Sequence, residues 1–124
     1  MGLDMYAFIT RERFDTDVDF KPSDNHDVHQ LHYWRKHPNL HGWMEQRYRL
    51  KGGKDAVFNC ARLALDVLDL DELERAVRDG CLPSTSGFFF GQSDGTEHDD
   101  DLAFIARARQ ALAQGYSVFY DSWW

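Results

Sequence analysis

Residues 99–120 read DDDLAFIARARQALAQGYSVFY, and this stretch contains both kinds of element that decide the fold. Its three leading aspartates predict the first turn of a helix, where the helix dipole favours negative charge. We expect that helix to span 99–114 and to end at Gly115, since glycine is common just past a helix C-terminus. Residues 116–120 then predict a β-strand, because aromatic and β-branched residues favour strands.

Helix and strand signals also precede this stretch. Phe88, Phe89 and Phe90 predict a short strand covered on both faces, and therefore a central one. Before it, 82–87 has the composition of a loop. Asp69 followed by Glu72 resembles a capping box. The apolar residues that then repeat at helical spacing are Leu70, Leu73, Ala76 and Val77. Gly80 follows where this helix should end.

The N-terminal half is less regular. Residues 3–9 predict a first strand, and 10–25 predict an acidic, flexible loop. Residues 26–50 carry apolar residues at helical spacing, which predicts a helical region. Pro38 interrupts it, and we favour two segments with Pro38 at the first position of the second. Residues 56–65 predict a further strand.

These elements together predict one α+β domain over residues 1–124, with a small mixed or antiparallel β-sheet packed against two to four helices. A chain of 124 residues is the size of one ordinary domain. Aromatic residues make up 15% of it, which is enough to build a core and to leave aromatic area on the surface. Exposed aromatic area would mark a contact site.

Composition also limits where the protein works. The start of the chain lacks the basic and apolar regions of a signal peptide, and no apolar run is long enough to span a membrane. Cys60 and Cys81 have neither a metal-ligand nor a disulfide-framework spacing, so we expect both to be buried thiols. The sequence therefore predicts a soluble protein of a reducing, cytoplasmic compartment, with no membrane partner.

Histidine is concentrated in one segment. Five of the six lie between His26 and His41. His37 and His41 have the i,i+4 spacing that can place two imidazoles on one helix face for a metal ion. Pro38 lies between them and spoils that geometry, and the HExxH motif is absent. We expect no metal and no cofactor, and keep a metal-binding module or metal-dependent enzyme built on these histidines as an alternative.

The net charge of −7 is unevenly distributed, with a basic middle between acidic ends. Aromatic and basic residues together in 34–54 are typical of single-strand nucleic-acid binding, a second alternative. The competing interpretation places Trp34 in the core and pairs the cations with the abundant acids. Asp99, Asp100 and Asp101 either face solvent beside their helix or imitate phosphates and block a basic site on another protein.

Four segments give the chain a family resemblance. They are MGLDMY at 1–6, YWRK at 33–36 with LHGW at 40–43, LPSTSGFFFG at 82–91 and YDSW at 120–123. With these segments the chain resembles a family of small proteins encoded by tailed phages and prophages. The resemblance implies a phage accessory protein acting in a bacterial cytoplasm, and it implies no catalytic residues.

The sequence contains no phosphate loop and no nucleophile elbow, so no catalytic residue is predicted and an enzyme is the less favoured class. We expect a binding protein that modulates a host protein through an aromatic or acidic surface. Its most specific form is an anti-defence inhibitor resembling anti-CRISPR proteins. The residues predicted to contact the partner are Trp34, Arg35, Lys36, His41, Asp99, Asp100, Asp101, Trp123 and Trp124.

Overall fold

Four strands and three helices form the fold. The computed structural model describes residues 2–23, 27–87 and 90–124. The elements are β1 (Asp4–Thr10), β2 (His29–Arg35), α1 (Pro38–Leu50), β3 (Leu63–Leu65), α2 (Val67–Arg78), α3 (His98–Ala113) and β4 (Ser117–Trp123). The strands form one sheet in the order β2-β1-β4-β3, and every neighbouring pair is antiparallel. The predicted α+β class, with a small antiparallel sheet and three helices in a single domain, is confirmed.

The core lies between one face of the sheet and the helices. Alternate residues of the two central strands point into it, among them Met5 of β1 and Tyr120 of β4, both fully buried. From β2, the Trp34 indole packs edge-on against Phe104 of α3, with ring centroids 4.7 Å apart. Helices α2 and α3 pack on each other, and Leu70 of α2 is also fully buried. One continuous apolar cluster therefore supports all seven elements.

The predicted helical region over 26–50 is wrong in its first half. His26 lies outside the described residues, and 29–35 form the strand β2 rather than a helix. Side chains of a strand alternate between two faces, and here His32 and Trp34 point inward while Tyr33 and Arg35 point outward. Pro38 is the first residue of α1, as predicted, where its missing N–H costs no hydrogen bond.

Two predicted strands also need correction. Of residues 56–65 only Leu63–Leu65 form a strand, and it lies at an edge of the sheet. Phe88 and Phe89 lie outside the described residues, while Phe90 belongs to no strand. Phe90 is nevertheless buried, because its ring packs edge-on against Trp124 from a loop. The central strands are β1 and β4.

The helix boundaries follow local chemistry closely. Helix α2 starts three residues earlier than predicted, since Asp66 is its N-cap and forms a reciprocal capping box with Asp69. Gly80 follows α2 with φ +66°, a left-handed conformation that glycine adopts without strain. Helix α3 and the glycine after it, Gly115, lie within one residue of their predicted places.

The acidic segment after β1 extends the sheet at its β3 edge. Val18 forms an isolated antiparallel bridge with Leu63. The Ala64 N–H donates to the Asp17 carbonyl at 2.8 Å, and the Asp19 N–H donates to the Arg62 carbonyl at 3.0 Å. Residues 17–19 thus occupy the hydrogen-bonding edge of the shortest strand. The prediction that both cysteines are buried is wrong: Cys60 and Cys81 are exposed in loops between elements.

Candidate functional site

The face of the sheet that points away from the helices carries a contiguous group of aromatic side chains. Antiparallel register places Arg35, Asp4 and Trp123 in one row across β2, β1 and β4. The next row contains Tyr33 and Tyr6, since directly opposed residues point to the same face. We call Tyr6, Phe8, Tyr33 and Trp123 the aromatic face.

Three rings of the aromatic face are in contact with one another through Tyr6, and Tyr33 and Trp123 are exposed to solvent. Tyr6 lies 5.7 Å from Phe8 and 5.3 Å from Tyr33 between ring centroids. Tyr33 is 43% exposed and Trp123 68% exposed, whereas Tyr6 and Phe8 are half-buried. Large exposed aromatics are unusual on a monomer surface and are enriched where proteins bind partners.

Paired charges surround these rings. The Tyr33 hydroxyl donates to an Asp4 carboxylate oxygen at 2.6 Å, and the Arg35 guanidinium lies 3.6 Å from the same oxygen. The hydrogen bond to Asp4 raises the pKa of Tyr33, so the phenol stays protonated and acts as a donor at neutral pH. Asp121, next to Tyr6 in the same row, is paired with Arg62 at 3.7 Å. The face thus combines exposed rings with little uncompensated charge.

Three of the residues predicted to contact a partner are buried and present no surface. Trp34 points into the core, and its indole N–H donates to Asp101. Asp101 is only 2% exposed because it lies on the inner side of α3, where the Trp34 and His37 donors replace water. His41 lies among Phe58, Phe90 and Tyr120, since its position in α1 faces the sheet.

Other predicted contact residues do reach the surface, but not at one place. Arg35 and Trp123 lie on either side of Asp4 on the outer face of the sheet. Asp99 and Asp100 are exposed at the start of α3, where Asp100 also bonds His32. Lys36 is exposed and follows β2. Trp124 is half-buried, and its indole N–H donates to the Phe58 carbonyl at 2.9 Å.

The basic segment does not form a free cationic surface. Arg35 pairs with Asp4 and Arg49 pairs with Glu45. Arg47 of α1 and Lys51, the C-cap residue after α1, both contact the buried carboxylate of Asp69 at the start of α2. The contacts with Asp69 link the C-terminal end of α1 to α2. Four of the six cations in 34–54 are thus paired, and only Lys36 and Lys54 are exposed with no ion pair among the described residues, which leaves little charge for phosphate binding.

The described histidines serve separate hydrogen-bond networks. Both ring nitrogens of His37 are engaged, one with Asp101 at 2.8 Å and the other with Ser93 at 2.6 Å, which leaves no free lone pair for a metal. His41 instead bonds the Tyr120 hydroxyl at 2.6 Å. Within residues 2–23, 27–87 and 90–124, no three His, Cys, Asp or Glu side chains are arranged to hold a metal ion.

His41 is held uncharged by its surroundings. Burial lowers its pKa from 6.5 to about 4, against a smaller raising effect of the Phe58 backbone. Its second ring nitrogen, Nε2, is buried without a hydrogen-bond partner. Burial also raises the pKa of Tyr120 well above its ordinary value. The hydrogen bond between His41 and Tyr120 therefore joins two neutral groups.

Sequence reasoning identified Trp123 but missed the rest of the aromatic face. The signal was present, because Tyr6 and Phe8 are two residues apart in a correctly predicted strand. Tyr33 could be assigned to the same face only after 29–35 were known to be a strand. The pairing of β1 with both β2 and β4 then places the four residues in neighbouring rows on one face of the sheet.

No described helix is long and apolar enough to cross a membrane. Comparisons of the chain with protein-family models, curated proteins and solved structures found no match.

Proposed function

We propose that this chain is a binding protein that contacts another protein through its aromatic face. The observation that carries the proposal is the contact of Tyr6 with Phe8 and Tyr33 on the outer side of the sheet, with the exposed Trp123 in the neighbouring row. Tyrosine and tryptophan dominate binding energy at protein interfaces because they bury a large area and still offer a donor. The acidic and basic side chains beside them would form the polar rim.

Charge favours a protein over nucleic acid as the partner. Stacked bases bring phosphates, and phosphate binding needs uncompensated Lys or Arg side chains. On the aromatic face Arg35 is already paired with Asp4, and Arg62 with Asp121. The chain as a whole carries a net charge of −7, which repels a polyanion.

The resemblance to phage and prophage proteins supports a host bacterial protein as the partner. An anti-defence inhibitor remains the most specific form of this proposal. An acidic version of it would use Asp99 and Asp100, which are exposed, but not the buried Asp101. Replacing Asp99 and Asp100 by asparagine should weaken an acidic interface and flatten its salt dependence, and should leave an aromatic interface unchanged.

The test starts with a tagged full-length chain used to capture a stoichiometric protein from bacterial lysate. The captured protein is then purified and titrated with wild type, Trp123→Ala, Tyr33→Ala and a control, Leu68→Ala. Leu68 is 72% exposed on α2 and does not belong to the aromatic face. We expect the two aromatic variants to weaken binding by about 30-fold, as for an interface hot spot. Leu68→Ala should bind as wild type does.

Thermal melting of each variant checks that the fold is retained. Equal binding by wild type and a Tyr33→Ala, Trp123→Ala double variant would exclude the aromatic face as the interface. Capture of single-stranded nucleic acid, with affinity that falls steeply as salt rises, would instead support nucleic-acid binding through the basic segment 34–54.

A further inference from the structure

A serine, a histidine and an aspartate form a hydrogen-bonded chain on the helical side of the molecule. The Ser93 hydroxyl oxygen lies 2.6 Å from His37 Nδ1, and His37 Nε2 lies 2.8 Å from an Asp101 carboxylate oxygen. His37 and Asp101 are each 2% exposed, while Ser93 is half-buried. The three residues come from the loop before α1, the loop before α3 and the first turn of α3, so only the fold brings them together.

The hydrogen bonds assign a role to each group. The other carboxylate oxygen of Asp101 accepts the Trp34 indole N–H at 3.1 Å, so both oxygens act as acceptors. Because a carboxylate only accepts, the contact with Asp101 places a proton on His37 Nε2. In the tautomer that carries only this proton, the Nδ1 lone pair accepts from the Ser93 hydroxyl. This is the relation of nucleophile, base and orienting carboxylate found in serine hydrolases.

Ser93 lies on the wall of a pocket of about 200 Å³ between α1, α2 and α3. Val77 and Leu82 supply apolar lining, and Glu97 supplies a carboxylate. The backbone N–H of Asn39, in the first turn of α1, donates to the Ser93 oxygen at 3.1 Å. This hydrogen bond gives an acceptor to one of the free N–H groups at the start of α1. The N–H and the α1 dipole both stabilise negative charge on the Ser93 oxygen.

We propose that Ser93 is a nucleophile for acyl transfer, with His37 as its base and Asp101 as a positioning residue. The Ser93 oxygen attacks the carbonyl carbon of an ester while its proton moves to His37 Nδ1. The carbon–oxygen bond to the leaving alcohol breaks, and His37 returns the proton to that alcohol. Water then attacks the acyl carbon while its proton moves to the same nitrogen; the bond between that carbon and the Ser93 oxygen breaks, and His37 returns the proton to the serine. In serine hydrolases Nε2 of the histidine faces the serine and Nδ1 faces the carboxylate, whereas here Nδ1 faces Ser93 and Nε2 faces Asp101. This reversal does not change the number of protons transferred in any step.

The pocket limits the class of substrate. A volume of about 200 Å³ admits a short acyl group, and Val77 with Leu82 favours an apolar one. The Glu97 carboxylate lies 4.0 Å from His37 and repels an anionic acyl group. We therefore assign small, uncharged esters to this site.

Hydrolysis of p-nitrophenyl acetate and p-nitrophenyl butyrate by the full chain is the first test, together with labelling by a fluorophosphonate probe. Peptide mass analysis should place the phosphonyl group on Ser93. Ser93→Ala should lose labelling and lower kcat/KM by on the order of 100-fold or more. Ser84→Ala removes an exposed loop serine and should behave as wild type.

Asp101→Asn tests the positioning role, because it should lower kcat with little change in KM. Thermal melting of both variants shows whether they are folded. A loss of kcat in a folded Asp101→Asn that is clear but smaller than the loss in a folded Ser93→Ala is the expected result. Wild-type hydrolysis no faster than that of folded Ser93→Ala, with no label on Ser93, would overturn the proposal. The aromatic face lies on the opposite side of the sheet, so this result leaves the binding function untouched.

Discussion

The buried imidazole of His41 makes the stability of this protein depend on pH. The ring is neutral in the fold, with a pKa of about 4. In the unfolded chain its pKa returns to about 6.5. Between these values the unfolded state binds a proton that the folded state does not, so acidification favours unfolding over this range.

We predict that His41 alone removes up to about 3 kcal/mol of stability between pH 6.5 and pH 4, at about 1.4 kcal/mol per pH unit. Glutamine at position 41 does not titrate and retains an acceptor for Tyr120. Urea unfolding of wild type and His41→Gln at pH 7 and pH 4.5 measures the difference. Parallel losses of stability in the two proteins would show that His41 does not titrate as described.

At the scale of elements, the start of α2 concentrates several stabilising contacts in four residues. The Asp66 carboxylate accepts the Asp69 N–H at 2.9 Å, and the Asp69 carboxylate accepts the Asp66 N–H at 2.8 Å. Asp69 also pairs with Arg47 of α1 and with Lys51, the C-cap residue after α1. The cap therefore fixes the position of α2 relative to α1 as well as its first turn.

Replacing Asp66 by alanine should lower the free energy of unfolding by about 1 kcal/mol, the usual cost of losing an N-cap. Asp79 at the other end of α2 is an exposed C-cap residue and provides the matched control. Asp79→Ala should change stability by less than about 0.5 kcal/mol in the same urea titration. A cost for Asp66→Ala no larger than for Asp79→Ala would contradict the capping role.

How far the elements could be predicted depended on how local their signals are. Gly115 and the acids before it marked α3 within one residue of its ends, because caps and glycines act locally. Strand β2 was predicted as a helix, since Leu31 and Trp34 are three residues apart and polar His32 at an inward position hides the alternation. Asp101, which bonds both Trp34 and His37, is more than sixty residues from each of them in the sequence. No local pattern could therefore predict that these three side chains lie together.

At the scale of the whole molecule, Trp34 joins the sheet to the helical layer. Its ring packs on Phe104 of α3, and its N–H bonds Asp101. Asp101 in turn holds His37 at the entrance to α1. The Asp101 side chain of α3 is therefore bonded to the sheet through Trp34 and to the start of α1 through His37.

We expect Trp34→Phe to cost about 1–3 kcal/mol, because a buried Asp101 oxygen loses its donor while most of the packing remains. Trp123→Phe is the control, since Trp123 is largely exposed and its change should stay within about 0.5 kcal/mol. Chemical unfolding of both variants measures the two costs. Equal costs would mean that the bond to Asp101 contributes no stability.

The pairing of residues 17–19 with β3 bears on self-association. Fibres that grow by edge-to-edge addition of sheets need each molecule to offer two open edges. The Asp17 carbonyl and the Asp19 N–H already bond the β3 side, so β2 provides the other edge of the sheet. Addition of a second copy along β3 would therefore require residues 17–19 to detach first, which opposes fibre growth from that side of the sheet.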